Sequence, residues 1–345
     1  MHAMLLRQPA AYSSNMSPLE MSEVTTPTPG NAEVLVRVSV CGVCRTDLDI
    51  VEGHVAAPRY PVIPGHQVIG RVADVGSGVS GFREGDRVGI AWINSACGHC
   101  RWCRTAKENL CPQFRSTGCD VDGGYAEYAV VPAAFAHAIP HALADAEAAP
   151  LLCAGAIGWR SLRLAGLSDG ERLGLAGFGA SAHLVLQLAR HRYPASPVYV
   201  FARNPEERAF ALELGAAWAG DTSDAPPEQL DAVIDTTPVW KPIVDVLPRL
   251  APGGRLIINA IRKSSTDQNE LLRLDYAAHL WMEREIKSVA NVTREDVRQT
   301  LAAAAEIGLR PTVEMLPLQL ANQALARLSG ATRLRGAMVL DVAVR

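Results

Sequence analysis

Residues 172–190 read RLGLAGFGASAHLVLQLAR. The apolar run Arg172–Ala176 has the length of a buried strand, and the stretch Ala180–Arg190 reads as a helix. Between them lies Gly177-Phe178-Gly179-Ala180-Ser181-Ala182, a G-x-G-x-x-A turn. Gly177 allows the tight turn, Gly179 lets a pyrophosphate approach the backbone, and Ala182 keeps helix and sheet close. The helix N-terminus, reached through Ala180 and Ser181, then faces the phosphates. A Gly-rich match alone is often only a turn. The strand before it and the helix after it point to a dinucleotide site.

The flanking chain repeats the alternation. Val198–Phe201 is the next strand, and a helix runs from Pro205 to Leu214, with proline at its favoured first position. Ala232–Asp235 and Arg255–Asn259 continue the series, the latter entered through a Gly253-Gly254 turn. Strands alternating with helices predict a doubly wound parallel sheet. An acid usually ends the second strand and holds the ribose 2′-OH. Here the chain reads Phe201-Ala202-Arg203-Asn204. Nothing there repels a 2′-phosphate, and Arg203 can pair with one, so NADP(H) is favoured over NAD(H).

Before about residue 145 the character differs. Glu33–Val40 alternates strictly, and Val68–Val75, Arg87–Ala91 and Tyr125–Val131 read as short strands, which predicts an irregular β domain. After about Ile286 the pattern is mixed again. Thr293 with Asp296 can cap a helix running to about Ile307.

The β-rich part carries CGHCRWCRTAKENLCP at residues 97–112. Cys97, Cys100, Cys103 and Cys111 are spaced to close around one tetrahedral ion. A disulfide knot is unusual in a chain of cytosolic character. The ferredoxin run has three residues before its last Cys-Pro, whereas seven precede Cys111 here. Structural zinc is the favoured reading, and four thiolates leave no open position for chemistry.

Composition sets limits. The 345 residues predict about two domains, and 48% hydrophobic with 20% charged residues fit a globular chain. With 33 basic against 36 acidic residues and a net charge of −3, no nucleic-acid partner is indicated. No apolar run reaches the ~18 residues that span a bilayer. The opening MHAMLLRQPAAYSS lacks the order of a signal peptide, so a cytoplasmic location is expected.

Taken together, CGVCRTDLD at 41–49, PGHQVIGRV at 64–72, the four-cysteine loop, DGGYAEYAVV at 122–131, APLLCAG at 149–155, GFGASAH at 177–183 and LRGAMVL at 334–340 carry a resemblance. The chain resembles the zinc-dependent medium-chain alcohol dehydrogenases, and looks closest to their cinnamyl-alcohol-dehydrogenase-like branch. The resemblance implies an α/β architecture: a GroES-like β-rich catalytic domain over residues 1–150, completed by 286–345, and a Rossmann domain over 151–285. It also implies a second zinc, held by Cys44, His66 and Cys153. Two cysteines and a histidine are a known catalytic set that keeps one position open. Cys41 and Cys119 are then expected as buried thiols.

Further roles follow from the same resemblance. Asp47 orients the zinc histidine through its other ring nitrogen. Thr46 takes the alcohol proton, and Asp49 stands at the outer end of the relay, where the family often has histidine. Arg45 and Arg335 contact the pyrophosphate, with Arg333 as a substitute for the latter. Trp92, Val55 and Ile157 line the substrate pocket. Gln67 replaces the glutamate usual after the zinc histidine. The implied reaction is reversible oxidation of a primary alcohol, aliphatic or aromatic, by a homodimer or homotetramer. A polyol dehydrogenase and a non-catalytic zinc- or redox-sensing protein on the same scaffold are the alternatives. A zinc-free quinone reductase would lack the ligands present here.

Overall fold

The computed structural model describes residues 1–11, 17–329 and 336–343. The chain forms two compact units, Met1–Ala156 with Asn291–Arg345, and Ile157–Ala290.

In the second unit, six parallel strands run 218–220, 198–201, 173–176, 230–235, 250–258 and 285–288 across the sheet. Numbered by sequence within the unit, this is the order 3-2-1-4-5-6 of a Rossmann sheet. Its inner strands Leu173–Ala176 and Val198–Phe201 are buried throughout. That explains their unbroken apolar runs, since helices cover both faces of a parallel sheet. Ala176, Phe201, Val233, Ile243, Leu247 and Leu256 belong to one buried cluster. The order reverses between the strands Leu173–Ala176 and Leu230–Asp235. In such sheets, ligands bind outside the carboxyl ends of the strands at this reversal.

Two sequence expectations are corrected here. The helix after the glycine turn spans Ala182–Arg192, not 180–190, because Ala180 and Ser181 belong to the turn. Gly253-Gly254 is not a turn before a strand. The strand Leu250–Ile258 runs through both glycines, and its register against the neighbouring strand shifts between Leu230 and Ala232. A glycine inside a strand often marks such an irregularity.

The first unit is built on a seven-stranded sheet around the long strand Glu33–Val43. That strand pairs with Val68–Val75, Tyr128–Pro132 and Ala337–Asp341, all antiparallel. The expected strand Tyr125–Val131 thus begins later, at Tyr128. Val34, Val36, Ile69, Val72, Val88 and Ile90 fill the core of this sheet. The C-terminal stretch rejoins it through Ala337–Asp341, which also pairs with Val313–Pro317. The helix Arg294–Glu306 is capped as its sequence indicates. Thr293 accepts from the Asp296 amide, and Asp296 accepts from the Thr293 amide at 2.9 Å. It buries Val297, Thr300, Leu301 and Ala304, one face of a helix.

Candidate metal centres and cofactor loop

Cys44 follows the long strand Glu33–Val43 and stands at the N-cap of the short helix Arg45–Val51. His66 lies in the loop before Val68–Val75, and Cys153 follows the turn Ala149–Leu152. The fold of the first unit brings their ligand atoms within 4.8 Å of one another. Cys44 Sγ and Cys153 Sγ are 3.8 Å apart, and His66 Nε2 is 3.3 Å from Cys153 Sγ. Two bonds of about 2.3 Å to sulfur and one of about 2.0 Å to nitrogen at tetrahedral angles would give separations of about 3.8 and 3.6 Å. Donor type, number and spacing therefore fit a zinc ion with one open position.

The charges also fit. Asp47 accepts from His66 Nδ1 at 3.0 Å, which leaves Nε2 facing the sulfurs. Burial disfavours a charged His66, yet Asp47 and Cys44 outweigh it and hold its pKa up, to about 10. A hydrogen bond from Cys153, with help from His66, holds the Cys44 thiol far below its ordinary range despite burial. Its bond to Cys44, reinforced by burial, pushes Cys153 far above. Metal ligation displaces such protons, so a divalent cation would neutralise this anionic donor set of one buried histidine and two half-buried cysteines.

Asp47 has further partners. Its Oδ2 accepts from the Cys44 amide at 2.8 Å and from the Tyr125 hydroxyl at 3.0 Å. Asp47, His66 and Tyr125 are all fully buried. Burial, then the Asp47 charge, pushes the Tyr125 phenol above its ordinary range, so it stays a proton donor. Gly65 makes room for this packing. Its φ is +98°, and a Cβ there would lie 2.4 Å from the Tyr125 ring.

Around this centre, Thr46 Oγ1 is 3.7 Å from Cys44 Sγ. Asp49 is buried, 4.0 Å from Arg45 Nε and 3.8 Å from His54 Nδ1. His54 also meets Glu52 at 3.1 Å and is exposed, grouped with Asp49 and Glu52. Arg45 donates to the Leu328 carbonyl at 3.2 Å. Gln67 is buried, and its side chain packs where a Cβ on Gly42 would stand. Trp92 presents its ring to His66 edge-on, 5.0 Å between centroids, and donates to Asn291 Oδ1 at 2.8 Å. Val55 is half-buried, and its amide bonds to the Asp49 carbonyl at 3.1 Å. Arg335 and Arg333 lie outside the described residues. Cys41 and Cys119 are buried thiols, and burial, with the nearby Asp120, pushes Cys119 to about 11.

The sulfurs of Cys97, Cys100, Cys103 and Cys111 also gather within 4.8 Å. Cys97–Cys103 is 3.9 Å and Cys100–Cys103 is 3.6 Å, against about 3.8 Å for a zinc tetrathiolate. Backbone amides orient the sulfurs. Cys97 Sγ accepts from the Cys100 amide at 3.4 Å, and Cys111 Sγ from the Cys97 and Gln113 amides at 3.5 and 3.3 Å. Amides of His99 and Cys100 lower the Cys97 pKa to about 6. The pair Ile93–Ser95 and Arg115–Ser116 closes the base of this lobe.

In the second unit, Gly177 has φ +83°, and its amide donates to the Phe201 carbonyl at 2.8 Å. A Cβ on Gly177 would meet Thr237 at 2.8 Å, whereas one on Gly179 would meet nothing within 4 Å. The turn is thus tight at one glycine and open at the other, as a pyrophosphate requires. Ala180 is exposed, Ser181 is half-buried and Ala182 is buried at the helix start. Ala202 is buried and Arg203 is exposed, with no ion pair for its guanidinium among the described residues. Asp221 sits 3.9 Å from Arg208 instead. Ile157, half-buried at the start of this unit, offers its carbonyl to Ser161 Oγ at 2.7 Å.

Residues 30–141 match the alcohol dehydrogenase GroES-like domain. The chain is 46% identical over 345 residues to a probable alcohol dehydrogenase of Mycobacterium tuberculosis, covering 99% of this chain and 97% of that one. The chain belongs to the zinc-type medium-chain alcohol dehydrogenases. A cinnamyl alcohol dehydrogenase from Sorghum bicolor is 28% identical, with a TM-score of 0.83 over 99% of this chain and 97% of that one. A cobalt- and zinc-bound thermostable alcohol dehydrogenase from Pyrobaculum aerophilum is also 28% identical, with a TM-score of 0.84 over 99% of both chains.

Three features of this alcohol dehydrogenase have no local signal in its sequence. Tyr125 lies within DGGYAEYAVV, where nothing in the pattern marks its hydroxyl. Asn291, bound to Trp92, also donates to the Asn109 carbonyl at 3.4 Å and so ties Trp92 to the four-cysteine lobe. In the second unit Lys263, its side chain largely covered, pairs with the buried Asp235, and donates to the carbonyls of Thr237 and Val239 at 2.8 and 2.9 Å. That pair fixes the loop after the strand Leu230–Asp235. The hydrophobicity pattern held no signal for it. No helix among the described residues is long and apolar enough to cross a membrane.

Proposed function

We propose that this alcohol dehydrogenase interconverts a primary alcohol, aliphatic or aromatic, and its aldehyde, with NADP(H) preferred over NAD(H) and two zinc ions per chain. The observation that carries the reading is the meeting of Cys44, His66 and Cys153 at tetrahedral spacing, with Asp47 on the far nitrogen. Cys97, Cys100, Cys103 and Cys111 would hold the second ion and stiffen their lobe. Arg203, exposed where an acid is usual, supports the cofactor preference.

The overall change is R-CH2OH + NADP+ to R-CHO + NADPH + H+. When bound, zinc supplies a Lewis acid at the alcohol or carbonyl oxygen, and the nicotinamide supplies hydride exchange. Cys44, Cys153 and His66 Nε2 are the holding groups. Asp47 keeps the His66 proton on Nδ1. Thr46, beside Cys44, accepts the proton of the substrate hydroxyl while passing its own towards Asp49 and solvent. His54, 46% exposed in its side chain and next to Asp49, stands at the solvent end. Trp92 and Val55 are the pocket residues of the first unit. Gly177, Gly179 and the helix start at Ala182 would receive the pyrophosphate.

An exposed edge supports a homodimer. Strand Glu285–Ser288 ends the parallel sheet, and Ile286 is exposed on it, as are nearby Trp281 and Met282. Such an edge is a template for pairing with a second copy.

NADPH oxidation with benzaldehyde tests the activity. Turnover is expected, with kcat/KM above that for NADH, and removal of metal by a chelator abolishes it. Thr46→Ala lowers the rate by about 10²–10⁴-fold, while Thr46→Ser retains most of it. Nicotinamide binding without turnover on aldehydes or alcohols would return the chain to the sensor reading.

A further inference from the structure

We propose that Tyr125 is a positioning residue for the Cys44–His66–Cys153 centre: its hydroxyl holds Asp47, and Asp47 in turn fixes which nitrogen of His66 faces the two sulfurs. The inference rests on the metal reading above and adds a residue to it.

A carboxylate on a short helix can rotate about its last side-chain bond. Here one oxygen, Oδ1, accepts from His66 Nδ1 at 3.0 Å. The other, Oδ2, is held by the Cys44 amide at 2.8 Å and by Tyr125 at 3.0 Å. With Oδ2 fastened from two sides, Oδ1 stays on the imidazole. His66 must then carry its proton on Nδ1 and offer the Nε2 lone pair to a metal. Without the phenol, a fully buried carboxylate loses one of its donors and one of the two restraints on its plane.

Tyr125 is itself held. The amides of Gly123, Gly124 and Tyr125 donate to the carbonyls of Ile63, Gly65 and Pro64 at 2.7, 2.9 and 3.0 Å. The Met4 amide donates to the Tyr125 carbonyl at 2.8 Å. The ring therefore stands in register with the loop that delivers His66. Gly65, next to His66, lets the ring lie against the backbone. Three segments far apart in sequence, at 44–47, 63–66 and 123–125, are thus joined at one carboxylate.

The test uses the zinc-loaded protein and its Tyr125→Phe variant. Zinc transfer to a chromogenic chelator is followed for each ion, and the cobalt(II)-substituted forms are compared by their visible spectra. Tyr125→Phe should lose one ion about tenfold faster than the unmodified chain. The spectrum of cobalt at that site should change, and the ion in the four-cysteine lobe should leave at its usual rate. Equal rates and equal spectra overturn the proposal while leaving the metal reading in place. A single zinc in the unmodified chain removes both. Asp47→Ala provides the second arm: adding Tyr125→Phe to it should change nothing further, and an additional loss would mean that Tyr125 does not act through Asp47. If Tyr125→Phe alone fails to fold, the double variant decides. Recovered folding supports the clamp, and continued failure refutes it.

Discussion

His137 lies buried on the strand Ala136–Ala138, and its Nε2 has no hydrogen-bond partner among the described residues. Burial, with the positive Arg294 nearby, lowers its pKa from 6.5 to about 4. The unfolded chain binds this proton near pH 6.5, whereas the folded chain resists it until about pH 4. The stabilising effect is therefore complete above the unfolded value and is lost as pH falls through the window between the two. The loss amounts to roughly 3 kcal/mol. Urea midpoints for the unmodified chain and His137→Leu, measured at pH 7 and pH 4.5, check this. The variant should show the smaller drop, and parallel drops would refute the assignment. At the same scale, the part played by Tyr125 is hidden in the sequence. A tyrosine in an apolar strand reads as core, and only the partner of its hydroxyl, 78 residues away, distinguishes it.

Among the elements, the four-cysteine lobe and the turn after Val198–Phe201 make separate predictions. The lobe contains a four-residue helix, Arg101–Arg104, a single 3-10 turn, Glu108–Leu110, and a two-stranded base. So little regular structure would rely on a bound metal ion for folding energy. Cys103→Ser should lower the Tm by roughly 5–10 °C, matching a loss of about 2–4 kcal/mol. Cys44→Ser should abolish turnover with little change in Tm. Thermal scans paired with zinc analysis separate the two, and a reversed pattern would exchange the roles of the sites. At the strand end, Arg203→Asp replaces a partner for a 2′-phosphate by a repelling charge. The kcat/KM ratio of NADPH to NADH should fall by about 10–100-fold, the size of one lost charge-assisted hydrogen bond. An unchanged ratio would reduce Arg203 to an ordinary surface cation.

For the whole molecule, the exposed sheet edge carries the prediction. Ile286 is 39% exposed and Trp281 is 55% exposed, both costly to leave in water. Light scattering should give twice the 36.9 kDa chain mass. Ile286→Lys should shift the population towards the monomer, since a charge on an edge strand discourages pairing. A monomer in the unmodified chain would end the homodimer proposal.

The sequence by itself determined what depends on near neighbours. The G-x-G-x-x-A turn, the cap at Thr293 and the four clustered cysteines within residues 97–111 are local patterns. Local patterns survive because backbone geometry and donor spacing act over a few residues. Cys44, His66 and Cys153 were legible only through a family resemblance, for no spacing rule links residues 109 apart. Tertiary structure alone decided that Asp47 would receive His66, the Cys44 amide and Tyr125 together. It also paired Lys263 with Asp235 and carried the strand Leu250–Ile258 through two glycines. The physical reason is common to all three. A buried charge or an interrupted strand is stable only where distant segments supply its partners, and those partners leave no mark on the pattern of the segment they serve.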